Sequence, residues 1–119
     1  MLTQDLTLLR LDPATVRRAQ FLDLQFAVIS SGRQRIVTVA QGVVTVTGEG
    51  DHKTRAFTIN AEESAWAEFS RQMPRPGYQD IIAMVESGHA TVEGEMLLFF
   101  RNLFFVKAAL AGVFGKEWT

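Results

Sequence analysis

Apolar and polar residues alternate along the first half of the chain with the period of two that half-buried strands show. Leu24, Phe26 and Val28 fall on one side of the first alternating run. The predicted strands cover residues 24–29, 36–39, 43–47 and 56–59. Ser30-Ser31-Gly32 follows the first run and Gln41-Gly42 follows the second, and both are turn signals. Because the connections are short, consecutive strands are expected to form antiparallel hairpins, whereas parallel strands would need a long crossover.

The pattern changes to a helical period on both sides of this strand region. Asp12-Pro13 is typical of a helix start, with a cap residue followed by proline, and predicts a short helix through Ala19. After the fourth strand, Asn60 is the expected cap of a second helix, and Glu63 completes a capping box.

Two apolar helical stripes follow, and a short strand separates them from the last helix. The first stripe, which Pro74 ends, contains Ala65, Trp66, Phe69 and Met73, and the second contains Tyr78, Ile81, Ile82 and Val85. His89–Glu93 is the fifth predicted strand, and Glu95 opens the last helix. This order of elements is typical of an α+β domain, in which helices pack on one face of an antiparallel sheet.

The last predicted helix, residues 96–111, is apolar on more than one side. One broad face contains Met96, Phe99, Phe100, Leu103, Val106 and Leu110, and much of the other side contains Leu97, Leu98, Phe104, Phe105 and Ala108. A helix that covers one side of a sheet needs a single apolar stripe. The second face must therefore meet another helix, a ligand, a partner chain or a lipid surface. Aromatic stripes are usually ordinary core, so a packed core and an apolar cavity or interface both stay open.

Length, charge and composition narrow the classes of function. The chain has 119 residues, which suits one domain spanning residues 1–119. Its formal net charge is −1 and it has no polybasic run, so nucleic acid is not an expected partner. Arg101 and Lys107 interrupt the apolar run of the last helix, so we expect no transmembrane span. The N-terminus lacks the pattern of a signal peptide, which favours a cytoplasmic protein.

Catalytic and metal-binding patterns are sparse. His52 and His89 lack metal-like spacing to another strong ligand, and the chain contains no cysteine. Two acid–base pairs are candidates for an enzyme: Tyr78 with Asp80, and His89 with Glu93. Either pair would suit an isomerase or hydrolase of a lipophilic substrate if it lay in an apolar pocket. The pattern places almost no titratable group there, so we expect no catalysis, no metal and no cofactor.

Two segments resemble the sterol carrier protein 2 (SCP-2) family. FTINAEESAW, residues 57–66, is similar to the family's strand that runs into an acidic helix start and then a tryptophan. GHATVEGEM, residues 88–96, is similar to the family's segment G-x-x-x-V-x-G-D followed by a hydrophobic residue, with Glu95 in place of the aspartate. Together with the order of the hairpins, the resemblance covers roughly residues 20–112. Residues 73–80 depart from it, because the family more often has a shorter connection there.

The resemblance implies a curved five-stranded, mainly antiparallel sheet covered on one face by helices. It also implies an apolar cavity between sheet and helices for a fatty acid, an acyl-CoA, a sterol-like molecule or another lipid. The function it implies is non-catalytic binding or transfer of that ligand. Phe99, Phe100 and Leu103 would then face the sheet and line the cavity, while Phe104 and Phe105 would cover the second helix or a second subunit.

The predicted site follows from the helical stripes and the resemblance together. The expected ligand-binding residues are Trp66, Phe69, Tyr78, Ile81, Ile82, Val85, Met96, Phe99, Phe100, Leu103 and Phe104. The candidate polar anchors for a headgroup are Arg75, Tyr78, Gln79 and Arg101. Two alternatives remain. One is an oligomerisation or substrate-binding module of a larger enzyme or complex, with a homodimer through the apolar C-terminal helix, and the other is the small isomerase or hydrolase.

Overall fold

A computed structural model describes residues 7–8, 13–20, 22–48 and 56–114. The strands are β1 (Thr7–Leu8), β2 (Leu24–Ser30), β3 (Arg33–Ala40), β4 (Val43–Thr47), β5 (Phe57–Ala61) and β6 (Ala90–Gly94). The helices are α1 (Pro13–Ala19), α2 (Glu63–Phe69), α3 (Ile81–Glu86), α4 (Met96–Arg101) and α5 (Leu103–Val113). The five predicted strands and the α+β class are confirmed. The two-residue β1, which adds a sixth strand beside β4, carries no pattern long enough to predict.

The strands form one mixed sheet in the order β1-β4-β3-β2-β5-β6. All neighbouring pairs are antiparallel except β2 and β5, which are parallel. The prediction that the third and fourth predicted strands, β4 and β5, form a hairpin is therefore wrong. Parallel neighbours need a long crossover, and here the whole β3–β4 hairpin supplies it, because β5 returns to the free edge of β2 rather than to β4.

Two-residue turns close the β2–β3 and β3–β4 hairpins. Ser31 and Gly32 have φ angles of 47° and 84°, and Gln41 and Gly42 have φ angles of 52° and 80°. Positive φ at both central positions is the requirement of a type I′ turn, whose twist matches that of the flanking strands. The turns predicted from these dipeptides are confirmed.

The two faces of the sheet differ in chemistry. On the helix-covered face, Leu24 lies opposite Val39 and Phe26 lies opposite Val37, and this row continues through Phe57 on β5. These side chains form one core cluster with buried residues of α2 to α5. On the other face, the Gln25 side chain donates a hydrogen bond to Thr38 Oγ1 at 3.1 Å. Burial on the helix side explains the apolar residues at alternate positions of β2 and β3, and on the opposite face Ala27 and Ile36, which lie opposite each other, are buried as well.

β6 ends at Gly94, the second glycine of the resembling segment. Its φ is 120°, and a Cβ at this position would lie 2.6 Å from the carbonyl oxygen of Ala56. The Glu95 N–H donates a hydrogen bond to the same oxygen at 2.9 Å. A residue without a side chain is therefore required where the chain leaves the sheet for α4.

The start of α2 differs from the predicted capping box. β5 continues through Ala61, so Asn60 lies within the strand and Glu62 occupies the cap position without a side-chain bond to the helix. Ser31, in the β2–β3 turn, supplies the cap instead. Its Oγ accepts from the Glu63 N–H at 2.7 Å and donates to Glu62 Oε2 at 3.0 Å. The cap is thus provided from a distant part of the chain, which no local pattern could indicate.

α2 is also shorter than its apolar stripe suggests. The helix ends at Phe69, with Ser70 as its C-cap, and Met73 is exposed. The expectation that Met73 shares the buried face is therefore wrong. The backbone leaves the helix before Pro74, as the steric restriction on residues that precede proline favours.

The predicted last helix is divided at Asn102. The backbone of Asn102 has φ −109° and ψ 24°, and its side-chain amide donates to the carbonyl of Leu98 at 2.9 Å. A short amide side chain can compete with the helical backbone in this way. One continuous helix over residues 96–111 was therefore a wrong expectation, and α4 and α5 are separate elements.

Asp80 begins α3 and also joins it to α5. Its Oδ1 accepts from the Ala83 N–H at 2.8 Å, and its Oδ2 lies 3.4 Å from Lys107 Nζ. Burial alone would raise the pKa of this carboxyl. The Ala83 hydrogen bond and the Lys107 charge outweigh burial, so the pKa lies below its ordinary value of 3.8.

Replacement of the distant cap tests its contribution. We expect Ser31→Ala to lower the free energy of unfolding by about 1 kcal/mol, because the Glu63 N–H loses its acceptor. Ser64→Ala, on the exposed side of α2, is the matched control and should not destabilise the protein. Urea unfolding followed by circular dichroism measures both. Equal stability of Ser31→Ala and wild type would mean that water satisfies this N–H equally well.

The Asp80–Lys107 pair predicts a pH dependence of stability. Because the folded-state pKa is lowered, the contribution is complete above the unfolded-state value of 3.8 and is lost as pH falls through the folded-state pKa. Asp80→Asn retains a capping side chain but removes the charge, so it should cost about 0.2–1 kcal/mol at neutral pH and nothing in strong acid. Urea unfolding at a series of pH values measures this difference, with Glu86→Gln on the same helix as the control. A loss that does not change with pH would assign the effect to the cap and not to the ion pair.

Candidate functional site

Four of the predicted ligand-binding residues are buried in the core: Trp66, Phe69, Ile81 and Phe99. The Trp66 ring stacks on the Phe114 ring at 4.3 Å and meets the Phe69 ring edge-on at 5.6 Å. The Phe99 ring meets the Phe57 ring edge-on at 5.4 Å. These contacts are typical of well-packed aromatic cores, so the rings fill the space between sheet and helices where they lie.

The other predicted residues lie nearer to solvent. Tyr78, Ile82 and Leu103 are half-buried, whereas Val85, Met96, Phe100 and Phe104 are exposed. The face assignment made from the sequence is wrong for Phe100, which is 57% exposed rather than facing the sheet. Phe104 is 73% exposed, which leaves the second subunit as its predicted contact, while its neighbour Phe105 is buried. Asn102 ends α4 and precedes a separate helix, α5, which a single helical period could not anticipate.

An apolar stripe therefore remains uncovered along α4 and the first turn of α5. We call it the α4 stripe, and it consists of Met96, Leu97, Phe100 and Phe104. Phe100 lies three residues after Leu97 and four after Met96, so these three share one side of α4, and Phe104 continues the stripe on the first turn of α5. Phe100 also meets Phe99 edge-on at 5.2 Å, and a series of ring contacts thus connects the stripe with the core beneath it.

A cavity of about 290 Å³ lies between the β2–β3 hairpin and the ends of α2 and α5. We call it the hairpin pocket, and its lining residues are Val28, Ser30, Arg33, Arg35, Glu63, Val113 and Phe114. The resemblance implies a cavity between sheet and helices. The hairpin pocket lies at such an interface, at the end of the sheet where the β2–β3 turn is located. None of the eleven predicted ligand-binding residues lines it.

The register of β2 and β3 explains the mixed chemistry of the hairpin pocket. Arg35 lies opposite Val28, and Arg33 lies opposite Ser30. Both arginines project from the same face of β3 as the core residues Val37 and Val39, because side chains two residues apart share a face. The apolar row of the sheet thus changes to guanidinium groups at the point where the helices cease to cover it.

The inner wall of the hairpin pocket is held by Trp66. Its indole N–H donates to the carbonyl of Ile29 at 3.0 Å, and its ring supports Phe114 from behind. Phe69 also meets the Phe114 ring, edge-on at 6.2 Å. Trp66 and Phe69 lie on the buried face of α2, as their spacing predicts, but they form the second layer behind the pocket and do not line it. One sequence pattern could have indicated the pocket. Arg33 and Arg35 occupy the same face of β3 as the apolar residues Val37 and Val39, which places two charges at the end of a core row.

The predicted polar anchors lie elsewhere, and Arg75 and Tyr78 have structural partners. Arg75 lies 3.4 Å from Glu68 Oε1, and its guanidinium lies 5.3 Å from the centre of the Tyr78 ring. The Arg75 N–H also donates to Glu68 at 2.8 Å, and this bond lowers the pKa of Glu68 against the opposing effect of burial, with the Arg71 and Arg75 charges adding to it. Arg101 is exposed on α4. These anchors are not brought together at one cavity with the apolar residues.

The candidate acid–base residues are likewise separated into different contacts. Tyr78 Oη lies 3.3 Å from His89 Nδ1, and the two rings stack at 4.2 Å. Asp80 caps α3 and pairs with Lys107, so it is not aimed at Tyr78. The stacked pair therefore joins the loop before α3 to the start of β6.

Within residues 7–8, 13–20, 22–48 and 56–114, no cluster of three or more histidine or carboxylate side chains could hold a metal ion. No helix in that part of the chain has both the length and the apolar character needed to cross a bilayer.

No protein-family model matches the sequence, and no curated protein matches it. Solved structures do match the fold. A structure described as "UbiJ-SCP2 Ubiquinone synthesis protein" is 24% identical, with a TM-score of 0.55 over 84% of this chain and 82% of that chain. The stereoselective inverting sec-alkylsulfatase Pisa1 from Pseudomonas sp. is 17% identical, with a TM-score of 0.55 over 83% of this chain. A double mutant of the sec-alkyl sulfatase PisA1 is 18% identical, with a TM-score of 0.56 over 76% of this chain.

The lengths of these structures differ. The chain spans most of the UbiJ-SCP2 protein but 14% of each sulfatase chain, so the same fold forms a small part of those longer enzymes. The element order, the mixed sheet covered by helices and the agreement along most of an SCP2 structure together show that this protein has an α+β fold of the SCP2-like type.

Proposed function

We propose that this protein binds a lipid or another hydrophobic small molecule without transforming it. The observation that carries the proposal is the hairpin pocket, a cavity of about 290 Å³ with an apolar inner wall at the interface of sheet and helices. Pockets for small ligands occupy about 300–1,000 Å³, so this one is large enough for one end of such a molecule. The remainder of the ligand would extend along the protein surface.

The physical driving force is removal of apolar surface from water. Val28, Val113 and Phe114 supply the apolar wall, and the Trp66 stack holds Phe114 in place. Each Å² of apolar surface buried contributes about 25 cal/mol before the costs of ordering the ligand. A pre-formed wall reduces those ordering costs, which favours binding of a chain or ring of modest size.

The similar structures support the same class of ligand. One of them is named for ubiquinone synthesis, and ubiquinone is an isoprenoid lipid. The fold thus occurs in a protein named for the synthesis of a hydrophobic molecule. A fatty acid, an acyl-CoA, a sterol-like molecule or another lipid remains the proposed ligand, and a cytoplasmic carrier or substrate-presenting module remains the proposed role. The sequence-predicted residues that are not buried remain a second proposed contact surface: Tyr78, Ile82, Val85, Met96, Phe100, Leu103 and Phe104.

Tryptophan scanning with a neutral probe tests the site. We expect decanol, titrated into the protein and followed by isothermal calorimetry, to bind wild type and Leu103→Trp but not Val113→Trp. The indole of Val113→Trp would fill the hairpin pocket, whereas that of Leu103→Trp would fill space among the sequence-predicted residues. Loss of binding in Leu103→Trp alone would move the ligand to the predicted residues. Absence of binding to wild type by any neutral or charged decyl compound would overturn the proposed function.

The α4 stripe favours a second candidate function, that of an interaction module. Leu97, Phe100 and Phe104 are between 57% and 73% exposed on one side of α4 and α5. Contiguous apolar patches on small proteins often mark contacts with another chain. The sulfatases show that the fold also occurs within longer enzymes. The proposed partner here is a second copy of the chain, through the apolar C-terminal helices.

Sedimentation equilibrium tests this second function. We expect wild type to form a dimer that Phe100→Glu converts to a monomer, because the substitution places a charge in the centre of the stripe. Val43→Glu, at an exposed valine on β4, is the matched control and should leave the dimer intact. A wild-type protein that is monomeric at every concentration would exclude a homodimer through this surface.

A further inference from the structure

We propose further that the hairpin pocket selects ligands that carry an anionic group, a carboxylate, sulfate or phosphate, which is bound between Arg33 and Arg35. This inference rests on the proposed function, because it assigns the charged end of the ligand whose apolar end the pocket wall receives. Neither arginine was among the anchors that the sequence suggested.

The geometry of β3 brings the two guanidinium groups to one side of the strand. Positions two residues apart in a strand project from the same face, with their Cα atoms about 6.7 Å apart. Ser30 and Val28 lie directly opposite them on β2 and project from that face too. Long side chains at this spacing can converge on one small anion from two directions, and the Ser30 hydroxyl adds another donor beside them.

The charges of the two arginines are not used within the described part of the protein. The ion pairs found there involve Arg71, Arg75 and Lys107, and no hydrogen bond from the side chain of Arg33 or Arg35 is found among the described residues. An arginine stays protonated at every pH of interest. Both groups are therefore available to an external anion.

Glu63 is the opposing charge in the hairpin pocket. It lines the same cavity, but it forms no ion pair with either arginine. Two guanidinium groups and one carboxylate leave the pocket with a net positive charge. The Glu63 carboxylate lies at the start of α2, where the helix end favours a negative charge. An incoming anion thus meets unneutralised guanidinium groups, which can form charge-assisted, two-pronged hydrogen bonds with it.

The apolar wall of the pocket favours the charged end of an amphipathic molecule over a free anion as the ligand. Val113 and Phe114 lie in the same small cavity as the arginines, and Val28 is 2% exposed at its base. A free phosphate would leave this wall wet, whereas an alkyl or isoprenoid chain attached to the anion would cover it. The mixed lining thus fits an amphipathic anion better than either a free anion or a neutral lipid.

The experiment compares decanoate, decyl sulfate and decanol, each below its micelle concentration, with inorganic phosphate as the free-anion probe. We expect decanoate and decyl sulfate to bind wild type roughly tenfold more tightly than decanol, as charge-assisted hydrogen bonds allow. Arg33→Gln and Arg35→Gln should each weaken anion binding roughly tenfold and weaken decanol binding much less, so that the preference for the anion is lost. Arg35→Lys should restore part of the lost affinity, since it keeps the charge but not the two-pronged geometry.

Two control variants locate the effect. Arg101→Gln removes the exposed arginine of α4 that the sequence suggested as an anchor, and Arg17→Gln removes an exposed arginine of α1. Neither should change the preference for the anion. Thermal melts of all variants verify that they are folded before binding is compared.

Each contrary outcome has a separate meaning. Equal affinity for decanoate and decanol would overturn the anion selectivity and leave the proposed function intact. Loss of selectivity in Arg101→Gln rather than in the β3 variants would overturn the assignment to the hairpin pocket. Phosphate that binds as tightly as decanoate would overturn the amphipathic ligand in favour of a free anion. Failure of all decyl compounds to bind would overturn this inference and the proposed function together.

Discussion

The packing of Trp66 is the constraint on which the arrangement of helices and sheet depends. Its indole N–H is bound to the Ile29 carbonyl on β2, and its ring is stacked on Phe114 just beyond α5. One side chain therefore joins the sheet, α2 and the end of the last helix. The same contact creates the inner wall of the hairpin pocket. A smaller residue at this position would remove contacts with all three elements at once, because one side chain supplies both the hydrogen bond and the ring stack.

The strands on the helix-covered face show how a binding surface can arise from an ordinary core pattern. Val39 and Val37 lie under the helices, and the next two positions of the same row are Arg35 and Arg33. The backbone geometry does not change along this row. What changes is the cover, because the helices end near Phe114 and leave the last two positions open. Where a row of side chains on the core face extends beyond the covering helices, its last residues line a pocket. Those residues need not be apolar, because they are not buried.

Local features of this fold were predictable and long-range features were not. The turns at Ser31-Gly32 and Gln41-Gly42, the strand runs and the start of α1 depend on neighbouring residues, so the sequence pattern identified them. The parallel pairing of β2 with β5 and the cap that Ser31 supplies to α2 depend on residues that are distant in the chain. The candidate site divides in the same way. Spacing correctly buried Trp66 and Phe69, but it could not show that the pocket lies in front of them.

The return of β5 to β2 has a consequence for how this protein is made. On a ribosome, the β2–β3–β4 meander emerges before β5, and the hydrogen-bonding edge of β2 has no partner until residues 57–61 follow. During that interval the strand Leu24–Ser30 presents both an open edge and an apolar face, which is the combination most prone to pair with a neighbouring nascent chain. Because β5 closes that edge, the synthesis of the segment between Thr47 and Ala61 is the interval in which the exposed strand is open to such pairing.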